Sequence, residues 1–272
     1  DVAPAYGATR SETVLGKALR GIPRDRYFLS TKAGKYTSPG GYGEDLLDYS
    51  ESRIRAGLEE SMARLGVDHI DIVHLHDFEY QRLAKVESAF AEGFPTLVAL
   101  KQEGRIGAVS AGIYPLDLWR RVIEEAPVDA ILMHNHYCIN DTRGLELAPA
   151  CRERNIGLIN ASPFASGALT GGPIAAWHPA DANDRAVFAA AALFCERAGT
   201  SLARLAFQFA CQDTPFHTTM FSTARVASVE RNLRWYHDPL DHDLLAGVRR
   251  ILAPVIDKQW DYDAGIERMK QG

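Results

Sequence analysis

Short runs of strand-forming residues alternate with amphipathic helical stretches along nearly the whole chain, and this alternation restricts its fold most strongly. We predict strands over Tyr27–Lys32, Ile70–Leu75, Ile106–Ser110, Ala130–Met133, Ile156–Asn160 and Thr218–Ser222. We predict helices over Ser50–Leu65, Gly93–Glu103, Pro115–Glu125, Leu145–Arg154, Arg185–Ala198, Ser201–Cys211 and Val226–Arg234. Strands that alternate with helices form parallel βαβ units. With 272 residues, the pattern predicts an α/β fold of the (β/α)8 TIM-barrel type.

The first residue falls inside this pattern. Asp1 ends one further strand, and eight strands are reached if a first strand and a first helix lie before it. We therefore expect residues 1–272 to form a single barrel domain that lacks its first strand and first helix. Because such a barrel exposes two sheet edges, we expect a chain that truly begins at Asp1 to dissolve poorly or aggregate.

Composition and charge disfavour several classes of partner. The net charge is −5 and no basic cluster is present, which disfavours nucleic acid. No apolar stretch approaches the roughly 20 residues that cross a bilayer, so we expect no membrane partner. The cysteines are scattered without C-x-x-C spacing, which is typical of reduced thiols in the cytoplasm. We expect a cytoplasmic monomer or small homo-oligomer that acts on a small molecule.

Ionisable residues stand where several predicted strands end. Asp1 and Tyr6 flank a proline-containing turn, Lys32 ends one strand and His76 follows another. The carboxyl ends of barrel strands meet at one face, where TIM-barrel active sites lie. Because a nearby ammonium stabilises a phenolate, these residue types predict a tyrosine that serves as acid and base.

Two His-x-His pairs allow a different interpretation. Barrel hydrolases bind zinc through such pairs, which here are His74/His76 and His134/His136. A metal-dependent hydrolase leaves the spacing of Asp1, Tyr6 and Lys32 without a purpose, so we keep it as a remote alternative and expect no metal. We expect His74 to have a packing or supporting role.

Several motifs, taken in order, resemble the aldo-keto reductase superfamily. They are Asp1-x-x-Pro4-x-Tyr6-Gly7, Ser11-Glu12, Leu15-Gly16, Ser30-Thr31-Lys32 and the strand that ends at His76. Three further stretches are similar to one branch of this superfamily, which contains L-galactose dehydrogenase, D-threo-aldose (L-fucose) dehydrogenase and pyridoxal 4-dehydrogenase. These stretches are His74–Glu79, His134–Asp141 and Ile159–Pro163.

The resemblance implies a catalytic tetrad of Asp1, Tyr6, Lys32 and His76. In it, Tyr6 exchanges a proton with the substrate hydroxyl, and Lys32 favours the phenolate. Asp1 keeps Lys32 charged and oriented, and His76 forms a hydrogen bond with the substrate oxygen.

The resemblance also implies a nicotinamide cofactor. We expect its carboxamide end at Gly112, His134, Asn135 and Ser162. Gly112 and Ile113 stand where many family members have Ser-Asn, and His134 stands where many have Gln. Ala161 stands where the family usually has an aromatic residue that stacks on the nicotinamide. We expect the adenosine end at Ser222, Thr223, Arg225, Ser228 and Asn232. The paired cations that bind a 2′-phosphate are missing, which favours NAD, while Arg225 leaves NADP possible.

The substrate is expected to be a cyclic sugar. We predict a polar lid over Lys35–Asp48 and substrate contacts from Tyr36, Tyr42, Asp77 and Trp177. The predicted reaction is NAD(P)-dependent oxidation of the C1 lactol hydroxyl of an aldose, such as L-fucose or L-galactose, to the lactone. Pyridoxal oxidation and a cofactor-binding, redox-sensing subunit with little turnover remain as alternatives.

Overall fold

Strands and helices alternate along the computed structural model, which describes residues 1–37, 45–212 and 214–271. The strands are β1 (Ser30–Ala33), β2 (Lys35–Thr37), β3 (Asp45–Leu47), β4 (Ile70–His76), β5 (Ile106–Ile113), β6 (Ala130–His134), β7 (Gly157–Ala161) and β8 (Thr218–Met220). The α-helices are α1 (Arg10–Leu19), α2 (Glu51–Leu65), α3 (Val86–Ser88), α4 (Phe94–Gln102), α5 (Leu116–Glu125), α6 (Ala148–Glu153), α7 (Ala182–Arg197), α8 (Leu202–Cys211), α9 (Val226–His237), α10 (His242–Ile251) and α11 (Tyr262–Gln271). The described residues divide into two units, the first from residues 1–132 with 151–157 and the second from residues 133–150 with 158–271.

Parallel pairing organises the first unit. β1 pairs with β4, and β4 pairs with β5, while the beginning of β6 lies next to β5. The register sets Lys32 beside His74, His74 beside Ser110, and His76 beside Gly112. Because side chains along a strand alternate between faces, these residues lie on one face of the three strands.

The glutamate and glycine of the N-terminal motifs join α1 to α2 and β1. Glu12 accepts hydrogen bonds from Arg64 Nε at 2.6 Å and from Thr31 Oγ1 at 2.7 Å. A Cβ atom added to Gly16 would lie 2.2 Å from the carbonyl oxygen of Arg64, so only glycine permits this helix contact. These residues place β1 against its neighbouring helices.

The segment predicted as a loop over Lys35–Asp48 contains a β-hairpin. β2 and β3 pair antiparallel, with Lys35 opposite Leu47. This corrects the prediction, which was led by the high Gly and Pro content of the intervening residues. Residues 38–44, including the predicted substrate contact Tyr42, lie outside the described residues.

Other element boundaries differ from the predictions by a few residues or more. β1 begins at Ser30 because the preceding Leu29 donates its N–H to the Asp71 carboxylate. The helix predicted from Gly93 begins at Val86 and passes through a π-helical turn, Ala89–Gly93. The sequence analysis did not predict α1, α10 or α11.

The second unit contains β7 and β8, which pair in parallel, and five helices longer than one turn follow β7 in the described chain. An Asp181–Asp184 capping box begins α7, and the Ser201 hydroxyl caps α8. Arg185, in the first turn of α7, donates to backbone carbonyls of the preceding loop. These belong to Ile174, Ala175, His178 and Ala180. The guanidinium thereby satisfies polar groups that this irregular segment leaves without a strand or helix partner.

No single described helix is long and apolar enough to cross a membrane. Among the described residues, α7 and α8 together have the length and composition of a membrane span, but they are bent sharply against each other.

Candidate active site

The carboxyl ends of β1 and β4 bring the predicted tetrad together in the first unit. Lys32 is almost completely buried and donates from Nζ to Asp1 Oδ2 at 2.6 Å and to the Val2 carbonyl at 3.0 Å. Ser30 Oγ donates to the other Asp1 oxygen at 2.7 Å. The Asp1 carboxylate therefore fixes the ammonium through one oxygen and is itself fixed through the other.

Tyr6 lies over this ion pair. The Lys32 Nζ atom is 4.7 Å from the centre of the Tyr6 ring, and the His76 ring meets it edge to face at 5.8 Å. Tyr6 is 42% exposed, in contrast to the buried residues beneath it. A half-exposed phenol above a buried ammonium is an arrangement suited to proton exchange with a bound molecule.

His76 is held neutral by its surroundings. Burial lowers its pKa well below the ordinary value; Asp77 acts in the opposite direction, and the charges of Lys32 and Lys35 add to the lowering. His76 Nε2 lies 3.4 Å from Asp77 Oδ2, and its backbone carbonyl accepts from the Tyr49 hydroxyl at 2.6 Å. At neutral pH this imidazole has both a donor and an acceptor nitrogen.

Asp77 and Lys35 form an ion pair beside His76. Lys35 Nζ donates to Asp77 Oδ2 at 2.8 Å and lies 4.2 Å from the centre of the Tyr80 ring. The Asp77 backbone has a φ of 51°, a left-handed conformation that is uncommon outside glycine. The sequence analysis predicted Asp77 as a substrate contact. It included Lys35 only as the first residue of the predicted lid.

Glu79 connects the ends of β4 and β5. Its Oε1 accepts from the Tyr114 backbone N–H at 2.8 Å, and its Oε2 has no hydrogen-bond partner among the described residues. Burial raises the pKa of this carboxyl well above its ordinary value, and Asp77 adds to the effect. Burial therefore favours the neutral form of the Glu79 carboxyl.

A second polar cluster forms in the second unit, around His134 at the end of β6. Its Nδ1 lies 2.9 Å from Ser162 Oγ, and its Nε2 lies 3.1 Å from Asn135 Nδ2 and 3.2 Å from Ser166 Oγ. Asn135 Nδ2 also donates to Ser166 Oγ at 2.7 Å, so one connected set of hydrogen-bond contacts joins His134, Asn135, Ser162 and Ser166. We call these four residues the amide cluster, and the sequence had predicted three of them, with Ser166 the addition.

Aromatic side chains border the amide cluster. Asn135 Nδ2 also donates to the Tyr262 hydroxyl, and the Tyr262 ring lies 5.7 Å from His134 and 6.3 Å from Trp177. Trp177 belongs to the loop that Arg185 holds. Tyr262 is more than 100 residues away in the chain, and no local pattern could have identified it.

Left-handed backbone conformations mark the residues that follow three strand ends. The φ angles are 51° at Asp77 after β4, 59° at Asn135 after β6 and 62° at Ser162 after β7. Such conformations cost free energy outside glycine, and they concentrate at functional sites. Their repetition at the carboxyl ends of strands supports the assignment of those ends as functional.

The remaining predicted cofactor residues lie in separate places. Gly112 is in β5, beside His76 in the register, and its carbonyl accepts from the Asp77 N–H at 3.0 Å. The segment before α9 carries Ser222, Thr223 and Arg225, all exposed, while Ser228 in the first turn of α9 is half-buried. Asn232 is buried in α9, and its Oδ1 has no hydrogen-bond partner within the described chain.

Tyr36 was predicted as a substrate contact, and the structure places its side chain against α2. Its ring packs on α2, where the Arg53 guanidinium lies 4.0 Å from the ring centre and Gly57 leaves room for the hydroxyl. Burial raises the pKa of this phenol. In the parts of the chain that the structure describes, no group of three or more His, Cys, Asp or Glu residues could hold a metal ion.

Comparison with known proteins gives a consistent result. The sequence model of the Aldo/keto reductase family matches residues 1–253. The chain is 34% identical over 269 residues to L-galactose dehydrogenase of Arabidopsis thaliana, covering 96% of this chain and 81% of that protein. It is 32% identical to D-threo-aldose 1-dehydrogenase of a Pseudomonas species, covering 86% and 78%. It is 24% identical to pyridoxal 4-dehydrogenase of Microbacterium luteolum, covering 92% and 82%.

A solved structure also resembles this fold. An aldo-keto reductase from Bacillus halodurans in its holo form superposes with a TM-score of 0.74 at 22% identity, covering 97% of this chain and 84% of that one. With the alternating strands and helices, this likeness shows a partial (β/α)8 barrel and confirms the predicted fold class.

Proposed function

Because the chain belongs to the aldo-keto reductase family, a family of oxidoreductases that use nicotinamide cofactors, we propose that it oxidises the C1 lactol hydroxyl of an aldose to the lactone. One observation carries the proposal: the half-exposed Tyr6 phenol lies above the buried Lys32–Asp1 ion pair and beside a neutral His76. Similarity to two aldose dehydrogenases, each above 30% identity over most of the chain, supports the substrate class.

The tetrad residues would divide the proton chemistry among them. The Lys32 ammonium stabilises the phenolate of Tyr6, which takes the proton from the C1 hydroxyl. Asp1 orients the Lys32 ammonium through the ion pair that joins them. His76, being neutral, orients the substrate oxygen without competing with Tyr6 for the proton.

The residues of the second unit fit a nicotinamide dinucleotide. The buried amide oxygens of Asn135 and Asn232 lack hydrogen-bond partners among the described residues, and each suits an N–H₂ group. Asn135 would accept from the carboxamide and Asn232 from the adenine amine. His134 and Ser166 contact the Asn135 amide nitrogen, and Ser162 holds His134. The bound cofactor supplies the acceptor for the C1 hydride. We propose NAD as the preferred form.

Arg225 is expected to decide how much NADP the enzyme accepts. A guanidinium that pairs with the 2′-phosphate contributes about 1.5–3 kcal/mol, so Arg225→Ala should lower kcat/KM for NADP by about tenfold or more and leave that for NAD within about twofold. The measurement is initial-rate kinetics with both cofactors. Arg234→Ala, at the other end of α9, is the matched control. Equal losses with NAD and NADP would contradict this role.

Asp77 and Lys35 are the proposed contacts for further sugar hydroxyls. Their ion pair lies next to His76, and a carboxylate with an ammonium offers both acceptors and donors to a diol. A site of this kind rejects a molecule that lacks the matching hydroxyls, because its buried polar groups are then left unpaired.

The direct test follows absorbance at 340 nm with NAD and separately with NADP. The substrates are L-galactose, L-fucose, D-arabinose and pyridoxal, and Tyr6→Phe is the control enzyme. We expect NADH to form with at least one aldose. Activity with pyridoxal alone would replace the aldose by the pyridoxal hemiacetal, which presents the same lactol group. Cofactor binding without turnover on any of the four would favour the redox-sensing alternative.

A further inference from the structure

A second histidine, His74, lies directly behind the tetrad, and the acid–base roles described above do not use it. Its side chain is completely buried in the middle of β4. The strand register aligns it with Lys32 on one side and Ser110 on the other. A polar row thus crosses three neighbouring strands beneath the proposed site of reaction.

Both nitrogens of His74 face polar atoms. Nδ1 lies 2.8 Å from Ser110 Oγ, and Nε2 lies 3.6 Å from Asp1 Oδ1. Burial lowers the pKa of His74 well below the ordinary value, and the nearby Lys32 charge adds to this, so the imidazole is neutral. A neutral imidazole carries one proton, and its position decides what the residue does.

The surroundings select the tautomer. A protonated Nε2 directs its N–H at the Asp1 carboxylate, whereas a bare Nε2 would direct a lone pair at that negative oxygen. With the proton on Nε2, Nδ1 accepts from the Ser110 hydroxyl. The other acceptor near Ser110 Oγ is the Ala111 carbonyl, at the longer distance of 3.4 Å. The shorter contact favours Ser110 as donor to His74.

We propose that His74, held in this tautomer by Ser110, is a positioning residue that fixes the Asp1 carboxylate and through it the Lys32 ammonium below Tyr6. The inference rests on the proposed function for its kinetic consequence. Asp1 Oδ2 accepts from Lys32 Nζ, and Asp1 Oδ1 accepts from Ser30 Oγ at 2.7 Å. His74 Nε2 has no hydrogen-bond partner among the described residues and lies 3.6 Å from the same Oδ1, where an N–H is attracted to the negative oxygen. Without His74, a single hydroxyl holds Oδ1, and the carboxylate turns more easily away from Lys32.

Three variants separate positioning from packing. His74→Leu removes the donor and keeps a buried apolar side chain, His74→Gln places an amide N–H near the position of Nε2, and Ser110→Ala removes the hydroxyl that selects the tautomer. We expect His74→Leu to lower kcat by about 10²-fold, the scale of a misplaced reacting group, with KM within about twofold. We expect His74→Gln to recover most of this loss and Ser110→Ala to fall between them. Ser61→Ala, a buried serine in α2, is the control and should match the wild type.

The pH profile gives a readout that packing alone would not change. The pH profile of kcat for oxidation should differ between His74→Leu and the wild type and should return toward the wild type in His74→Gln, because the Gln variant alone of the two keeps an N–H donor near the Asp1 carboxylate. The titratable and charged groups that face this row among the described residues are Asp1, Tyr6, Lys32, Lys35, His76 and Asp77. None of these residues is replaced in the three variants, so the change is assigned to His74 and its Ser110 partner. Identical kcat and pH profiles for His74→Leu and His74→Gln would overturn the proposal.

A spectroscopic arm tests the geometry without turnover. The ¹⁵N shifts of the His74 imidazole in the intact protein should report a neutral Nε2–H tautomer at pH 7, and Ser110→Ala should shift Nδ1 in particular. A protonated Nδ1 in the wild type would overturn the inference even if an aldose is oxidised. The expected shifts in a protein that turns over no aldose would instead leave the geometry supported and reject the proposed function.

Discussion

Replacing Tyr6 with Phe is expected to lower kcat for lactol oxidation by about 10²–10⁴-fold, the range for loss of a general acid or base. The variant keeps the ring that contacts Lys32 and His76, and it loses only the hydroxyl. Tyr6 is 42% exposed, so the free energy of unfolding should change little. Steady-state kinetics with NAD and the best aldose measure the first effect, and urea denaturation measures the second.

Tyr27→Phe provides a matched control for this result. Tyr27 is also partly exposed, and the Arg24 guanidinium lies 5.0 Å from the centre of its ring, as Lys32 lies near Tyr6. Removal of this hydroxyl should leave kcat unchanged. If Tyr6→Phe retained a kcat within about threefold of the wild type, the phenol would not be the proton-exchanging group.

Arg64→Met is expected to reduce the free energy of unfolding by about 3–5 kcal/mol, because it leaves the buried carboxylate of Glu12 without its cation. Glu12 is completely buried, and Arg64 Nε donates to it at 2.6 Å. Of the hydrogen-bond partners that the structure shows for the Glu12 carboxylate, Thr31 alone would remain. Urea denaturation of the variant and the wild type gives the difference directly.

The double variant Glu12→Leu/Arg64→Met tests the cause. It removes both charges, so we expect it to be more stable than Arg64→Met alone. Arg55→Met is the surface control, since Arg55 pairs with the exposed Glu51 and Glu103, and we expect little change from it. A double variant less stable than the single one would show that packing around Glu12, and not its unpaired charge, sets the cost.

The sequence predicted the strand and helix alternation well where apolar periodicity is strong. α2 was predicted over Ser50–Leu65 and is Glu51–Leu65, ending at Gly66 in the left-handed conformation expected of a helix C-terminus. The hairpin of β2 and β3 was missed, because two strands of three residues carry too little periodicity to recognise. α1 was also missed, since it depends on the contacts of Glu12 and Gly16 with α2 more than on its own pattern.

The candidate site was predicted in part. Residue types at the strand ends pointed to a tyrosine acid and base, and the family resemblance selected Asp1, Tyr6, Lys32 and His76, which the structure brings together. Ser30 could have been found, since it lies two residues before Lys32 and so on the same face of β1. The position of Tyr36 against α2 could not have been predicted, because it depends on the direction in which the hairpin of β2 and β3 leaves β1.

By itself, the sequence determined which segments become strands and helices and which chemical groups stand at the strand ends, because both depend on neighbouring residues. The tertiary structure alone decided the register of β1, β4 and β5. That register aligns Lys32, His74 and Ser110. It also gives the two histidines of β4 different neighbours, so that His74 lies near Asp1 and His76 lies beside Tyr6. It could not be inferred locally, because strand pairing joins residues about 40 positions apart and is selected by the packing of the whole sheet.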